Sequence, residues 1–312
     1  MRKFIKNIFT FVFAFVFLYI LFIFSTYFVY KQKLHNVSFN KNISTIICGD
    51  SHTMSAINDS ILKNSINISN HSQHYIYTYN ILKIVLRNNP QIKSVILGSS
   101  FHSFDEYDRL IFDADKATPF YPTFFPILDY ESATLIICNN FLSLIKSSKG
   151  IIKSMFKSII SKDNSYKSYR FIGYYYKSMN NNLNDSTVIK AIKRHYYQLN
   201  GKEQEFSKYQ YIYLNKIGKL CVKNNIKLII INTPVSDNYY KKIPKRFISN
   251  YYNTIANFNN TIDFWDFHSL HLENECFGDG DHLNAIGAKV LTLKIDSILE
   301  NKARGGNKDY MQ

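Results

Sequence analysis

The feature of this sequence that most constrains its fold is a segment of 24 residues, 7–30, that contains no charged side chain. About 20 apolar residues are enough for a helix to cross the hydrocarbon core of a bilayer. A cleavable signal peptide would have a shorter apolar region, of roughly 7–15 residues, and would end in small residues. Here Phe and Tyr continue up to Lys31. We therefore predict an uncleaved anchor, residues 1–35, that contacts the lipid bilayer through residues 7–30.

The charges beside this segment favour one orientation only slightly. Three basic residues precede the segment and three follow it: Arg2, Lys3 and Lys6, then Lys31, Lys33 and Lys41. Basic residues are retained on the cytoplasmic side, and a large domain behind a single N-terminal span is usually exported. The expectation is a single-pass protein of the cell membrane whose large domain lies outside the cytoplasm.

Charge and composition argue against a disordered chain and against a nucleic-acid-binding protein. The chain has 312 residues, with 38 Lys+Arg against 23 Asp+Glu, and 46% of its residues are hydrophobic, which excludes a disordered chain. Five of the basic residues lie in the acid-free segment 1–35, so the remainder carries a modest +10. This dispersed charge indicates an anionic envelope surface and not a nucleic acid. The four cysteines have no metal-ligand spacing, and Cys48 is predicted to be a buried thiol.

Strand-length apolar runs alternate with helical patterns through most of the chain. The strands are predicted at 44–48, 66–68, 94–97, 227–231 and 262–267. The helices are predicted near 54–62, 73–88, 203–224, 244–258 and 284–299. This alternation predicts an α/β fold in which a parallel five-stranded sheet lies between two layers of helices, as in flavodoxin-like proteins. Sites in such folds lie at the carboxyl ends of the strands.

The middle of the chain interrupts this pattern. Residues 104–200 contain three prolines, a predicted helix near 132–146 and a tyrosine-rich segment, 166–177. That segment could stack on sugars or nucleic acid, although a packed cap with an exposed basic rim is the favoured interpretation. We predict one α/β domain, residues 36–304, with a cap inserted at about 104–200, and a polar tail, 305–312.

Two segments carry residues suited to catalysis. Gly49-Asp50-Ser51 follows the first predicted strand, and Asp279 precedes His282 by three residues just before the last predicted helix. A serine nucleophile needs a base to take its proton, and the base needs an orienting partner. Each segment has a simpler explanation by itself: a helix cap for the first, and a surface turn or weak calcium loop for the second.

In combination, the two segments resemble the ends of the SGNH (GDSL-like) hydrolase superfamily. The resemblance extends over about residues 43–300, apart from the central block, and includes Gly287, where the last helix would pack closely. It implies that Ser51 is the nucleophile, that His282 is the general base and then acid, and that Asp279 orients His282. Asp281 is the rival for this last role, but its position next to His282 makes the required geometry harder.

The resemblance is weakest at the oxyanion hole. The family uses the N–H of the nucleophile, Ser51, with a glycine after the second strand and an asparagine after the third. This chain has neither, which leaves four candidates for oxyanion or substrate binding: Asn70, Ser72, Ser100 and His102. A missing donor can lower the rate by about 10²–10³. These departures resemble the membrane-anchored branch that modifies envelope polymers, such as alginate acetylation and teichoic acid D-alanylation proteins.

The resemblance implies a serine esterase or O-acyltransferase that acts on acyl groups, foremost acetyl groups, of an envelope polysaccharide or other O-acylated glycan. The alternative is a non-catalytic module that binds glycan or assists a membrane acyltransferase partner. No metal or organic cofactor and no nucleic acid partner is expected. His268 and His271 have no paired zinc-ligand pattern, and His52 is expected at the surface of the first helical turn.

Overall fold

A computed structural model of the chain describes residues 1–105, 109–112, 114–161, 169, 171–173, 183–258 and 262–303. Its strands are β1 (Thr45–Cys48), β2 (Ser65–Asn67), β3 (Ser94–Ser99), β4 (Lys227–Asn232) and β5 (Asp263–Asp266). Its helices are α1 (Arg2–Leu34), α2 (Ser51–Ala56), α3 (Tyr75–Asn88), α4 (Arg109–Phe112), α5 (Ala114–Ala117), α6 (Tyr121–Phe124), α7 (Tyr130–Ile160), α8 (Asp185–Tyr196), α9 (Lys208–Lys223), α10 (Asp237–Tyr240), α11 (Lys245–Ala256) and α12 (Ala285–Ala303). The predicted tail 305–312, and most of the tyrosine-rich segment 166–177, lie outside the described residues.

The five strands form one parallel sheet in the order β2-β1-β3-β4-β5, so the predicted α/β class is confirmed. In the middle of the sheet Ile47 pairs with Ile96, and Leu97 pairs with Ile230. The chain moves outward from β1 to β2 and then outward from β3 to β5 on the other side. The direction of winding therefore reverses between β1 and β3, and the carboxyl ends of these two strands border the crevice where such folds bind ligands.

Alternate residues of each strand enter two different cores, because successive side chains point to opposite faces of a sheet. Ile46 and Val95 belong to the larger core, in which α3, α9 and α11 cover the sheet. Ile47 and Ile96 belong to the smaller core, in which α2 and α12 contribute apolar residues such as Leu291. The sheet is covered on both faces, which explains the continuous apolar runs of its strands.

Helix α2 differs from its predicted position. It begins at Ser51 and ends at Ala56, whereas the apolar spacing predicted a helix near 54–62. Ile57 is extended, and the N–H of Asn58 donates to Thr292 Oγ1 at 3.0 Å. Ile57 and Leu62 remain buried in the smaller core. The apolar residues after Ala56 therefore belong to a loop that is buried against α12, and they do not extend the helix.

Within the described part of the chain, two helices are long and apolar enough to cross a membrane by length and composition. The most apolar window of α1 is entirely exposed, but Thr26, Tyr30 and Leu34 near its end are buried in the body. The second is α7, which is longer than the predicted helix near 132–146 and has non-helical backbone angles at Asn140. The membrane anchor stays a prediction, as do the boundaries of the cap, whose described part contains α4 to α8.

Candidate functional site

Ser51 is the first residue of α2, directly after the carboxyl end of β1. Gly49 makes the turn with a φ of 158°, and the carboxylate of Asp50 caps the helix by accepting the His52 N–H at 3.0 Å. The helix start lies very close to β3, because a Cβ placed on Gly98 would lie 1.5 Å from Thr53 Oγ1. These contacts place the Ser51 hydroxyl at the crevice between β1 and β3.

His282 lies on a tightly held loop before α12. The side chain of Asn284 donates to the Phe277 carbonyl at 3.2 Å and accepts the N–H groups of Ile286 and Gly287 at the start of the helix. A Cβ on Gly287 would lie 2.3 Å from the carbonyl oxygen of Cys276, so the close packing predicted at this glycine is present.

The structure brings Ser51, His282 and Asp279 together. Ser51 Oγ lies 2.9 Å from His282 Nε2, and His282 Nδ1 lies 3.0 and 3.1 Å from the two carboxylate oxygens of Asp279. Asp279 also accepts the backbone N–H of His282 at 2.9 Å. A serine hydroxyl, an imidazole and a carboxylate in this sequence have the geometry that allows the imidazole to take the serine proton.

Asp281 also lies near His282 and contacts an arginine and two further histidines. Its Oδ2 accepts from Arg194 Nη2 at 2.8 Å and lies 3.2 Å from the Nε2 atoms of both His52 and His195. Its Oδ1 lies 3.4 Å from His282 Nδ1, beyond the distance to Asp279. Asp281 is 1% exposed, so this carboxylate is desolvated and depends on these neighbours for its charge.

The expectation that His52 lies at the surface is wrong. His52 is 2% exposed, because its ring stacks on the His282 ring at a centroid distance of 4.5 Å and lies between the carboxylates of Asp50 and Asp281. His102 is also buried, and its Nε2 lies 3.1 Å from Asp50 Oδ2. The rings of His52, His102 and His195 therefore form one buried cluster, and His52 connects it to His282.

The other oxyanion candidates occupy different positions. The Asn70 N–H donates to the Gly49 carbonyl at 3.2 Å, and the Ser100 N–H donates to Ser103 Oγ at 2.8 Å. Ser72 has a positive φ of 49° and lines a small cavity with Asp50 and His102. Since the N–H groups of Asn70 and Ser100 are already engaged, Ser72 and Ser51 are left as the backbone candidates.

The charges of this cluster shift the pKa values of its members in opposite directions. Burial lowers the pKa of His282, but Asp281 and Asp279 outweigh it and raise that pKa to about 10. Burial lowers the pKa of His52, but the charge of Asp50 and the hydrogen bonds of Asp281 and Asp50 together outweigh burial and raise that pKa. Burial and the neighbouring imidazoles lower the pKa values of His102 and His195. Histidine partners hold Asp50 and Asp281 ionised despite burial, with pKa values well below the usual range.

Two overlapping groups of side chains are close enough to hold a metal ion, among the residues described. One contains His52, His102 and His195, and the other contains His52, Asp281 and His282. Carboxylate oxygens already lie near the ring nitrogens of these groups. Charge pairing with Asp50 and Asp281 accounts for part of the cluster, while the two buried ring nitrogens of His52 lack a hydrogen bond of good geometry within the described part of the chain.

Sequence reasoning missed Arg194 and His195. Both lie at the end of α8, almost 90 residues before His282, and neither belongs to a recognisable motif. Only the folding of the central block against the sheet brings them to Asp281. The sequence indicated Asp281 only as the rival of Asp279 for orienting His282. Its contacts with Arg194 and His195 were not predicted.

Comparisons with known proteins give few matches. One protein-family model, which carries no functional description, matches residues 156–304, less than half of the chain. No curated protein sequence matches the chain.

Among solved structures, the chain is similar to a GDSL-like lipase from Bacteroides thetaiotaomicron, with 12% identity, a TM-score of 0.41 and coverage of 88% of this chain and 98% of that chain. It is also similar to a candidate acylhydrolase from Bacteroides fragilis, with 12% identity, a TM-score of 0.41 and coverage of 87% and 94%.

Proposed function

We propose that this chain is a membrane-anchored serine esterase or O-acyltransferase that acts on acyl groups, foremost acetyl groups, of an extracytoplasmic envelope glycan. The observation that carries the proposal is the hydrogen bond of 2.9 Å between Ser51 Oγ and His282 Nε2, with Asp279 on the opposite nitrogen of the ring. The three residues come from opposite ends of the sequence and meet at the switch point of the sheet.

The reaction follows from this geometry. The neutral His282 ring, with its Nδ1–H donating to Asp279, accepts the proton of Ser51 as Oγ attacks the ester carbonyl carbon. The protonated ring then gives this proton to the departing sugar oxygen, which leaves an acyl group on Ser51. Water releases the acyl group as an acid, whereas a second sugar hydroxyl accepts it in a transfer.

The negative charge that develops on the carbonyl oxygen requires nearby donors. The N–H groups of Ser51 and Ser72 are the candidates, and Ser72 lines a small cavity that also contains His102 and Asp50, the residue before Ser51. Oxyanion donors act in the transition state, and the loss of one costs about 10²–10³ in rate.

The apolar helix α1 supports the proposed location of the substrate. An anchor with the domain outside the cytoplasm brings the crevice near polymers of the cell envelope, and the domain charge of +10 suits anionic glycans. A membrane acyltransferase could supply or receive the acyl group. No metal or organic cofactor is needed for this chemistry.

A non-catalytic glycan-binding or accessory role is the second candidate. Two observations favour it: the N–H groups of Asn70 and Ser100 are engaged within the protein, and the pKa of His282 is raised to about 10. A base with this pKa is mostly protonated at neutral pH, which opposes proton abstraction from Ser51.

A fluorophosphonate probe separates the two roles. We expect the full chain to be labelled at Ser51, and Ser51→Ala to abolish labelling and lower the hydrolysis of p-nitrophenyl acetate about 10³-fold or more. Ser60→Ala, which changes an exposed serine, is the matched control and keeps both activities. A folded chain that neither reacts with the probe nor transfers acetyl to a glycan acceptor, at neutral or alkaline pH, would contradict the enzyme.

A further inference from the structure

An apolar groove separates α1 from the second part of α7. It has a volume of about 460 Å³ and is lined by Ile20 and Phe24 of α1 and by Leu144, Ile151 and Met155 of α7, among others. The groove continues the apolar surface of α1 onto a helix that the sequence prediction placed in the cap.

The outer surface of α7 after Asn140 is also apolar. Five large side chains there are between 46% and 71% exposed: Phe141, Leu142, Ile145, Phe156 and Ile160. We call these residues the α7 apolar face. Contiguous exposed apolar surfaces are uncommon on soluble proteins and mark sites of contact with proteins or membranes.

A row of basic residues accompanies the α7 apolar face. Lys146, Lys149, Lys153 and Lys157 follow one another at spacings of three or four residues, which places them on one side of the helix, and all four are exposed. Residues 141–160 contain no Asp or Glu. A helix that combines large apolar residues with a row of lysines is typical of the interface of an anionic membrane.

Two lysines near the end of α1 donate hydrogen bonds to backbone carbonyls just before α7 and at its end. Lys33 donates to the carbonyls of Ser158 and Ser161 at the end of α7, and Lys31 donates to the Leu128 carbonyl at 2.9 Å. The groove extends back to Ile20, which is about 16 Å from Lys31 along a helix that rises 1.5 Å per residue. The groove therefore lies beside the part of α1 that runs from Ile20 to Tyr27.

We propose that residues 141–160 of α7 form a second membrane contact, with the α7 apolar face in the lipid and the four lysines among anionic head groups. This surface rests on α1 being the anchor of the proposed function and adds a fixed attachment to it. Two points of contact would restrict rotation of the domain about α1 and hold the Ser51 crevice in one orientation above the bilayer.

Spin labels on the full chain in vesicles test this placement. The vesicles contain phosphatidylglycerol and phosphatidylcholine in equal parts, and exposed Cys138 is first changed by Cys138→Ser. Separate labels are introduced by Ile145→Cys, by Phe11→Cys within α1, and by Tyr130→Cys, which is 87% exposed at the start of α7. We expect the labels at 145 and 11 to contact oxygen in the lipid, and the label at 130 to contact a water-soluble nickel reagent.

The other outcomes have separate meanings. A label at 145 that contacts the nickel reagent, with the label at 11 in lipid, overturns the second contact and leaves the anchor intact. A label at 145 shielded from both reagents indicates a second copy or another protein on this face and also overturns the proposal. A label at 11 in water overturns the anchor and the second contact together.

Charge reversal tests the lysine row. The triple change Lys146→Glu, Lys149→Glu and Lys153→Glu should lower the accessibility of the label at 145 to oxygen in the lipid several-fold in the anionic vesicles. Lys219→Glu with Lys223→Glu, on exposed positions of α9, is the matched control and should leave it unchanged. Equal contact in all three proteins would show that the lysines do not take part and would overturn their assignment to head groups.

Discussion

At the scale of single residues, two carboxylates act on His282 in different ways. Asp279 lies on Nδ1 in hydrogen-bonding geometry and fixes the ring, while buried Asp281 contributes charge from a longer distance. The charge of Asp281 is the main influence that raises the pKa of His282 to about 10. Orientation and proton affinity of the base are therefore set by different side chains, so the two can be separated by mutation.

The pH profile of Asp281→Asn tests this separation. Activity requires the neutral form of His282, so kcat/KM of the unchanged chain should rise with pH until the pKa near 10 is passed. Asp281→Asn removes a negative charge that favours the protonated ring, so the midpoint should fall by about 1–2 pH units. The measurement is kcat/KM for p-nitrophenyl acetate across pH, with thermal melting as a check on folding.

Asp279→Asn is the comparison for this variant. It should lower kcat by about 10²–10⁴ at every pH, because the ring loses the partner that selects its tautomer. If instead Asp281→Asn lowers kcat uniformly without moving the midpoint, Asp281 is the orienting residue.

At the scale of elements, the site depends on how closely α2 approaches β3. Gly98 leaves room for Thr53 in the first turn of α2, since a Cβ at Gly98 would lie 1.5 Å from Thr53 Oγ1 and 2.7 Å from Thr53 Cβ. The helix that carries Ser51 is only six residues long and cannot be positioned by its own length. Its position is set by this contact and by packing on α12.

Gly98→Ala should therefore affect stability and activity together. The added methyl group pushes α2 away from the sheet, which should cost about 1–3 kcal/mol of unfolding free energy and about 10²-fold in kcat. Gly218→Ala, in helix α9, is the control, because nothing lies within 4 Å of the new Cβ, and it should stabilise the protein slightly. Urea unfolding and ester hydrolysis measure the two effects, and a Gly98→Ala variant with unchanged kcat would refute the dependence on this contact.

At the scale of the whole molecule, α1 belongs partly to the domain. Tyr30 and Leu34 are each 4% exposed in the larger core, whereas the side chains of residues 2–19 are exposed. The end of this helix therefore connects the apolar segment rigidly to the domain.

Leu34→Ala tests this connection in the full chain. The loss of a buried leucine should lower the unfolding free energy by about 2–5 kcal/mol. Phe9→Ala, at a position that is 71% exposed, should change it by less than about 0.5 kcal/mol. Thermal melting in one detergent compares the two, and equal melting temperatures would contradict the packing of Leu34 in the core.

The orientation of the domain is tested at Leu199, which is 99% exposed in a turn after α8. In a Cys138→Ser background, Leu199→Cys should react with a membrane-impermeant maleimide in intact spheroplasts if the domain lies outside the cytoplasm. The same protein without the new cysteine is the control, because Cys48, Cys221 and Cys276 are buried. Labelling that appears only after lysis would place the domain in the cytoplasm.

Local patterns in the sequence predict the strands, the class of the fold and the two segments at the site. These depend on local patterns: runs such as Ile46-Ile47 predict buried strands, and Ser51 and His282 lie beside turns next to predicted helices. The bounds of α2 could not be predicted from the apolar spacing. Ile57 and Leu62 are apolar because they are buried in the smaller core, and they lie outside the helix.

The side chains that surround the base are brought there by contacts between distant segments of the chain. His52 turns inward, and Arg194 and His195 reach Asp281 from α8. Such contacts between distant segments leave no periodic signal, since a buried charge is satisfied by any partner that the fold brings near it. The same holds for α7, whose exposed apolar face became visible only when its neighbours were in place.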